Sequence, residues 1–277
     1  DLLGSRGLGD VYKRQMYGAG QFVMKKIFPD MSFLHCDYNP SFDGQAPEPI
    51  AKNLNPFSEF IKNNGEIAAG LATDGDADRI GLFDEKGDFV DSHHILLLLL
   101  LYLHKYKSMN GKVVVAASTT PRVVKLAEMW GLEHDTVQIG FKHIAQQMIN
   151  EDVLIGGEES GGIAIKGHIP ERDGIWMGLV IFEYMAKSGK SLTSLIKEIY
   201  ELVGEFKYWR DDLHINENLK QSIVESCQKN AFQSFGKYNV QNIDTTDGFK
   251  FILSDDEWLM IRPSGTEPVL RLSLIHI

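Results

Sequence analysis

The sequence predicts two α/β domains followed by a smaller α+β domain, and two patterns carry this prediction. Short apolar runs alternate with helical stretches through residues 16–203, which is typical of α/β layers around a mainly parallel sheet. From residue 205 onward, strand-like runs stand beside one helical stretch, as in α+β domains. A length of 277 residues leaves room for more than one domain.

The composition excludes several classes of protein. Hydrophobic residues make up 43% of the chain and charged residues 24%, as in ordinary globular proteins. The formal net charge of −10 lacks the basic footprint of nonspecific nucleic-acid binding. Only Cys36 and Cys227 are present, which disfavours a disulfide framework or a zinc site and favours a reducing, cytoplasmic setting. The longest apolar run, residues 95–101, is too short to span a bilayer, so no membrane partner is expected.

The two ends are expected not to belong to the native protein. Residues 1–15 show neither a helical nor a strand period, and residues 273–277 follow a well-formed motif abruptly. Both are interpreted as translated adaptor or vector sequence, with a genuine tail as the alternative, and are left out of the predicted fold. Three predicted units lie between them, at residues 16–108, 109–204 and 205–272.

The first predicted unit combines strands, a hairpin and two helices. The helix ending at residue 64 is followed by Gly65, a common stop signal, and the polar residues 85–88 mark the hairpin turn. The apolar run at 95–101 indicates a buried helix. The predicted strands are 32–36, 67–71, 80–83 and 89–90, and the predicted helices are 56–64 and 92–107.

The second and third predicted units continue the alternation. Pro121 marks the first turn of a helix that Gly131 closes. The second unit has predicted strands 112–117, 136–139 and 153–155, and predicted helices 121–130, 142–149, 173–186 and 192–203. The third has predicted strands 207–215, 248–253 and 258–262, and one predicted helix, 219–232.

An acidic loop, TDGDADR at residues 73–79, follows a strand of the first unit. Asp74, Asp76 and Asp78 alternate with small residues, so their carboxylates can converge on one hard cation. Mg²⁺ prefers such oxygen ligands and keeps room for a phosphate or water. Arg79 beside a metal would help to neutralise a transferred phosphoryl group. The loop therefore predicts a magnesium site.

Two alternatives to that magnesium site are a solvated acidic turn and a calcium loop of the EF-hand kind. The EF-hand pattern requires glycine directly after the third acid, where this chain has Arg79. Glu85 matches the closing twelfth position by spacing, but a predicted strand precedes it instead of a helix. The context therefore disfavours the calcium loop.

A glycine-rich loop, GGEESGG at residues 156–162, follows a strand of the second unit. Its glycines permit close backbone approach to a ligand. Glu158 and Ser160 lie on one side if the segment is extended, and a carboxylate with a hydroxyl suits vicinal sugar hydroxyls. Lys142 and Arg172 are near in sequence and would add positive charge. The alternative is a plain turn at a strand end, with both basic residues solvated.

A third loop, RPSGTEP at residues 262–268, lies between two strand-like runs of the last unit. Its hydroxyls, glycine and successive backbone N–H groups can form an anion nest. Arg262 and Arg271 offer forked hydrogen bonds to phosphate oxygens. The loop predicts a phosphate site, and the alternative is an ordinary turn with surface arginines.

Together, one per unit and in this order, the three loops resemble those of the α-D-phosphohexomutase superfamily, which includes phosphoglucomutases and phosphomannomutases. MYGAG at 16–20, NPSFDG at 39–44 and PEP at 47–49 also resemble its second domain. The resemblance implies two phosphohexomutase-type α/β domains with mixed sheets, followed by a smaller α+β C-terminal domain. The family's first domain, with its Ser-His-Asn phosphoserine loop, has no counterpart in the sequence, so the chain is expected to be a fragment.

The resemblance also implies a reaction and a set of site residues. The intact enzyme would interconvert hexose 1-phosphate and hexose 6-phosphate through a hexose 1,6-bisphosphate, with Mg²⁺ as cofactor and an upstream phosphoserine as donor. The implied metal ligands are Asp74, Asp76 and Asp78, and the implied catalytic residues are Arg79 and Lys142. The implied substrate-binding residues are Glu158, Ser160, Arg172, Arg262, Ser264, Gly265, Thr266 and Arg271.

The substrate and the activity of this chain have alternatives. The GEESGG form resembles glucose-directed and dual-specificity members, so phosphoglucomutase is the first expectation, beside phosphomannomutase and phosphoglucosamine mutase. Ser118 follows a strand but lacks the His-Asn that marks the family's nucleophile, so the fragment is expected to be inactive alone. A non-catalytic, Mg-dependent phosphosugar-binding module is therefore an alternative from another class, and a metal-dependent phosphatase is a third.

Overall fold

A computed structural model describes residues 10–14, 16–264 and 268–276, which form three domains. The N-terminal domain contains β1 (Asp10–Arg14), α1 (Gly20–Ile27), β2 (Ser32–Leu34), α2 (Asn55–Asn63), β3 (Ile67–Thr73), β4 (Ile80–Phe83) and β5 (Phe89–Val90). The middle domain contains α3 (Ser92–Leu101), β6 (Lys112–Ala116), α4 (Pro121–Met129), β7 (His134–Val137), α5 (Phe141–Asn150), β8 (Val153–Gly157), β9 (Ile163–Ile165), α6 (Gly174–Ser188) and α7 (Leu192–Val203). The C-terminal domain contains β10 (Lys207–His214), α8 (Glu217–Gln228), β11 (Ser234–Phe235), β12 (Tyr238–Asn239), β13 (Asn242–Asp244), β14 (Phe249–Ser254), β15 (Glu257–Pro263) and β16 (Val269–His276).

The sheets of the first two domains are mixed, as predicted. In the N-terminal domain the strand order is β2-β1-β3-β4-β5, where β1 is parallel to β2 and β3 and the last two pairings are antiparallel. In the middle domain the order is β7-β6-β8-β9, with only β9 antiparallel. Both domains therefore present loops at the carboxyl ends of neighbouring parallel strands, where ligands bind in α/β proteins.

The C-terminal domain is built on an antiparallel sheet in the order β10-β16-β15-β14-β13. Helix α8 contributes Cys227 and Ile223 to a small core with Phe251 and Leu270. This α+β domain confirms the predicted class. A separate apolar cluster reaches across the boundary, because Trp258 and Ile275 pack with residues of the middle domain.

Helix α3 is the centre of the main core. All ten of its residues are buried, including the run of six leucines from 96 to 101. A helix that is apolar all round has no solvent face, so the prediction of a buried helix is confirmed. The predicted single helix is interrupted after Leu101, since Tyr102–Tyr106 adopts π-helical geometry. No helix among residues 10–14, 16–264 and 268–276 is both long and apolar enough to cross a membrane.

Exclusion of the two ends from the fold was wrong. Strand β1 lies inside the excluded leader and pairs with both β2 and β3, so it is internal to its sheet. Strand β16 runs through the excluded tail and lies between β10 and β15, with Ile275 fully buried. Both strands are placed by pairing with segments far away in the sequence. A local hydrophobic period cannot predict such pairing. The adaptor origin of these residues stays a prediction.

Other differences from the predicted elements are local. Helix α1 and strand β9 were not predicted, and β7 begins two residues before its predicted start. Several predicted helix starts are explained by side-chain caps: Asp91, Asp173 and Ser191 each accept a hydrogen bond from a backbone N–H of the first turn.

Candidate functional site

The acidic loop connects β3 to β4 and gathers its carboxylates on one side. Ligand oxygens of Asp74, Asp76 and Asp78 all lie within 4.8 Å of one another. The loop turns at Ala77, which has a φ of 67°, and the backbone N–H of Arg79 donates to Oδ1 of Asp74 at 3.1 Å. The carboxylates range from buried Asp74 to exposed Asp76, so the cluster opens toward solvent.

The chemistry of this cluster fits a divalent cation. Burial, reinforced by the neighbouring carboxylates of Asp78 and Asp76, raises the pKa of Asp74 to about 7. Within the described part of the chain, Oδ1 of Asp78 is buried and has no hydrogen-bond partner. Three carboxylates whose oxygens lie this close together suit Mg²⁺. Strand β4 follows the loop directly, so the helix that an EF-hand requires is replaced by a strand.

Two arginines surround the acidic loop. Arg79 places Nη1 at 3.3 Å from Oε1 of Glu48 and Nε at 3.5 Å from Oδ2 of Asp74. Arg172 places Nη2 at 2.7 Å from Oδ2 of Asp78. Both guanidinium groups are partly exposed, so they border the opening of the cluster. Positive charge at such an opening can neutralise a bound anion.

The acidic loop is bonded directly to the glycine-rich loop. The N–H of Ile80 donates to the carbonyl of Gly161 at 3.1 Å, and Arg79 and Gly162 form an antiparallel bridge. The N–H of Gly174, at the start of α6, donates to the carbonyl of Ala77 at 3.0 Å. These backbone contacts join the acidic loop of the N-terminal domain to the glycine-rich loop of the middle domain.

Glu158 is anchored inside the glycine-rich loop. Its Oε1 accepts a hydrogen bond from the N–H of Gly140 at 2.8 Å, and burial raises the pKa of its carboxyl. Ser160 is half-buried two residues later, in the turn between β8 and β9. The intervening Glu159 is anchored twice, because its carboxylate accepts from the hydroxyl of Ser118 and its carbonyl accepts from the hydroxyl of Ser92.

Two basic residues were expected beside this loop. Arg172 is close to it: a Cβ on Gly162 would lie 2.4 Å from Cδ of Arg172, so a larger residue there would have to displace the arginine side chain. The guanidinium of Arg172 also stacks over the ring of Phe141 at 5.5 Å. Lys142 is exposed in the first turn of α5, next in the chain to Phe141.

The RPSGTEP loop, residues 262–268, connects β15 to β16. The N–H of Ser264 donates to the carbonyl of Val269 at 2.9 Å, and Arg262 lies directly opposite Arg271 in the strand register. Nε of Arg262 contacts Oδ1 of Asp247 at 3.0 Å. Nε of Arg271 contacts Oδ1 of Asp212 at 2.9 Å. Two more predicted residues, Gly265 and Thr266, lie outside the described residues.

Asp212 lies in an ion-pair network with Arg210 and Arg271. Despite burial, hydrogen bonds from Arg210 and Arg271 hold the pKa of Asp212 far below its usual value. Burial lowers the pKa of Arg210, but Asp212, Tyr208 and the distant Glu48 raise it overall. Glu48 also contacts Arg79 of the acidic loop.

Sequence reasoning missed the residues that hold the predicted ones in place. These are single polar side chains outside any of the three loops, so no spacing pattern marks them. Glu48 lies within a quoted motif but received no role. The missed partners are Glu48, Arg210, Asp212, Asp247 and Lys220, whose Nζ donates to the carbonyl of Ser264 at 3.3 Å.

Three family models match the chain in order. Residues 6–87 match phosphoglucomutase/phosphomannomutase alpha/beta/alpha domain II, residues 91–203 match alpha/beta/alpha domain III, and residues 217–274 match the C-terminal domain. The domain III match begins before α3, whereas the predicted unit boundary followed residue 108.

Curated relatives carry more than one name. A phosphoglucomutase/phosphomannomutase of Thermococcus kodakarensis is 30% identical over 259 residues, covering 92% of this chain and 54% of the relative. A probable phosphoglucosamine mutase of Pyrococcus furiosus is 32% identical over 227 residues, covering 82% of this chain and 48% of the relative. The chain thus spans about half the length of these relatives.

Solved structures agree with the family models. A putative phosphomannomutase from Thermus thermophilus superposes with a TM-score of 0.80 at 30% identity, covering 99% of this chain and 59% of that one. The Paramecium phosphoprotein pp63/parafusin shares the fold, with a TM-score of 0.79 at 21% identity over 99% of this chain and 53% of that one. The chain belongs to the phosphoglucomutase/phosphomannomutase family, and its three domains are the family's domains II, III and IV.

Proposed function

We propose that this chain is the metal-, sugar- and phosphate-binding part of a phosphohexomutase. Such an enzyme interconverts hexose 1-phosphate and hexose 6-phosphate through a bisphosphate. The observation that carries the proposal is the backbone bridge between Arg79 and Gly162, which joins the acidic loop to the glycine-rich loop. A cation site and a set of sugar ligands held this close suit transfer of a phosphoryl group to or from a sugar hydroxyl.

The acidic loop supports a magnesium-dependent reaction. Asp74, Asp76 and Asp78 would hold the ion, which would supply Lewis-acid stabilisation of phosphate charge. Arg79 and Arg172 already contact these carboxylates, and their exposed nitrogens would neutralise the phosphate oxygens from the same side. A protein of this fold, the Aspergillus fumigatus N-acetylphosphoglucosamine mutase, was crystallised with GlcNAc-6P and magnesium, although it is only 15% identical.

The other two loops would orient the sugar. Glu158 would accept hydrogen bonds from sugar hydroxyls, and Ser160 would donate or accept one. At the far end of the substrate, the non-transferring phosphate would be gripped by Arg262, Ser264, Gly265, Thr266 and Arg271. A carboxylate engages Nε of each arginine, and the terminal nitrogens would bind phosphate oxygens. Lys142 would line the cleft and act as a general acid–base group.

The preferred hexose has two supported candidates. The GEESGG loop favours a glucose-directed phosphoglucomutase, with phosphomannomutase activity beside it. Relatives named phosphoglucosamine mutase, among them one of Methanococcus maripaludis at 31% identity over 86% of this chain and 51% of the relative, support glucosamine phosphate equally. Competition among glucose, mannose and glucosamine 1-phosphates for the chain ranks them directly.

Titration calorimetry tests the proposed binding function. With Mg²⁺ present, the chain is expected to bind hexose 1-phosphate, and Asp76→Ala is expected to lose the metal-dependent part while weak sugar phosphate binding persists. Asp255→Ala, which removes an exposed carboxylate from the β14–β15 turn, is the matched control and should bind like the wild type. Equal hexose phosphate affinity with and without Mg²⁺ would remove the metal from the proposal.

The 277 residues contain no Ser-His-Asn motif, and this favours a second candidate function for the isolated chain, phosphosugar binding without catalysis. We expect it to bind phosphosugar without isomerising it. A coupled isomerisation assay separates the candidates: turnover by the chain alone would show that it supplies its own nucleophile, and steady release of inorganic phosphate would indicate a phosphatase.

A further inference from the structure

Asp247 lies where the C-terminal domain meets the middle domain. It is half-buried in the turn between β13 and β14. Its Oδ1 accepts from Nε of Arg262 at 3.0 Å, and its Oδ2 accepts from the backbone N–H of Ile139 at 2.9 Å. The carboxylate of Asp247 therefore connects Arg262 to the loop that precedes α5.

The next amide in that loop continues the connection. The N–H of Gly140 donates to Oε1 of Glu158 at 2.8 Å. Gly140 has a φ of 127°, a conformation that favours glycine, and this geometry lets two successive N–H groups serve two different carboxylates. The contacts run from Arg262 to Asp247, then to the N–H of Ile139, and from the adjacent N–H of Gly140 to Glu158.

The turn that carries Asp247 is held by hydrogen bonds and by close packing against Arg262. Oδ1 of Asp244 accepts hydrogen bonds from the N–H and the hydroxyl of Thr246, at 2.9 and 2.6 Å. Gly248 has a φ of 84°, and a Cβ there would lie 3.3 Å from Cβ of Arg262. The side-chain amide of Gln138 also donates to the carbonyl of Thr246 at 3.4 Å, beside the Asp247 contact. The turn therefore contacts Arg262 on one side and the 138–140 segment on the other, and a displacement of Arg262 is expected to reach that segment.

We infer that Asp247 is a positioning residue that couples phosphate binding at Arg262 to the orientation of the sugar ligand Glu158. The inference rests on the proposed function. A phosphate held by the terminal nitrogens of Arg262 fixes the guanidinium, and Asp247 then fixes the amide of Ile139, which precedes the amide of Gly140 in the chain. Glu158 is oriented by the second amide, so each half of a sugar phosphate favours binding of the other.

Two probes separate positioning from simple support of Arg262. Inorganic phosphate has no sugar hydroxyls and cannot engage Glu158, whereas glucose 1-phosphate and glucosamine 1-phosphate engage both the phosphate site and Glu158. In calorimetry on the 277-residue chain with Mg²⁺, Asp247→Ala is expected to weaken phosphate binding about tenfold and to weaken sugar phosphate binding about threefold more. In a Glu158→Ala background this additional, roughly threefold weakening should vanish, because the group that Asp247 helps to orient is already absent.

Two further variants sharpen the test. Asp247→Asn keeps an oxygen for the N–H of Ile139 but loses the charge that holds Arg262, so the link between the two sites is broken and sugar phosphate binding should again weaken more than phosphate binding. Lys125→Ala breaks another contact between these domains, the 3.3 Å pair with Asp256, and should change neither probe. Circular dichroism confirms that each variant is folded.

The outcomes are distinct. Equal weakening of both probes by Asp247→Ala would overturn the coupling and leave the proposed function intact. The same holds if Asp247→Ala still weakens sugar phosphate binding more than phosphate binding in the Glu158→Ala background. Equal weakening of both probes by Asp247→Asn would also overturn the coupling, because this variant keeps the Ile139 contact and loses only the link to Arg262. Failure of the wild-type chain to bind either sugar phosphate more tightly than inorganic phosphate would overturn the proposed function, and this inference with it.

Discussion

Arg271 illustrates how single side chains in the site depend on their partners. Its Nε contacts Asp212, which Arg210 also holds. Arg271→Ala removes one charged donor set from the phosphate and is expected to weaken hexose phosphate binding by about 2 kcal/mol, or roughly thirtyfold. Lys207→Ala, an exposed change at the start of the same sheet's edge strand, is the control. Unchanged affinity of Arg271→Ala in calorimetry would remove this arginine from the substrate site.

Asp91, the N-terminal cap of α3, gives a prediction about pH. Despite the opposing effect of burial, the charges of His94 and His93 and the hydrogen bonds from His94 lower the pKa of Asp91 from 3.8 to about 2. A depressed carboxyl pKa stabilises the fold above pH 3.8, and this stability is lost as the pH falls toward 2. The difference corresponds to about 2 kcal/mol.

Chemical denaturation of wild type and Asp91→Asn at several pH values checks this prediction. The free energy of unfolding of the wild type should exceed that of the variant above about pH 5, and the gap should shrink as the pH approaches about 2. A gap that stays constant over this range would show that Asp91 acts only as a neutral cap.

At the scale of elements, the start of α6 packs against the acidic loop with no space to spare. A Cβ on Gly174 would lie 2.3 Å from the carbonyl oxygen of Arg79, so Gly174→Ala must push the helix from the loop. We expect a loss of about 1–3 kcal/mol in unfolding free energy and weaker Mg²⁺ binding, measured by denaturation and calorimetry. Gly65→Ala is the control, because nothing lies within 4 Å of its added Cβ. Wild-type metal affinity in Gly174→Ala would contradict this close packing.

Helix α3 should dominate stability because it packs on every side. Leu98 is fully buried, and Leu98→Ala is expected to cost about 2–5 kcal/mol of unfolding free energy. Ile149→Ala, at a position that is 67% exposed, should cost far less. Similar losses for both substitutions in urea denaturation would contradict the central position of α3.

The elements also show what a sequence can and cannot predict. The leucine run of α3, the hairpin of β4 and β5, and the three loops all have local patterns, and each was predicted. Strands β1 and β16 were missed because their place depends on pairing with segments far away in the chain. Asp212 and Asp247 were missed for the same reason, since their meaning lies in the arginines that folding brings beside them.

At the scale of the whole molecule, the site depends on contacts between domains. The bridge between Arg79 and Gly162 joins the first two domains, and the pair formed by Asp247 and Ile139 joins the last two. Buried Arg122 adds a second link, because it donates to the carbonyls of Asp256 and Glu205. The three loops therefore depend on one arrangement of three domains.

Anomalous diffraction from crystals of the chain soaked with Mn²⁺ and glucose 6-phosphate tests this account most directly. We predict a manganese peak among Asp74, Asp76 and Asp78, with the sugar at Glu158 and Ser160 and its phosphate between Arg262 and Arg271. A metal bound elsewhere, or a sugar phosphate that touches only one of the three loops, would contradict a single shared site.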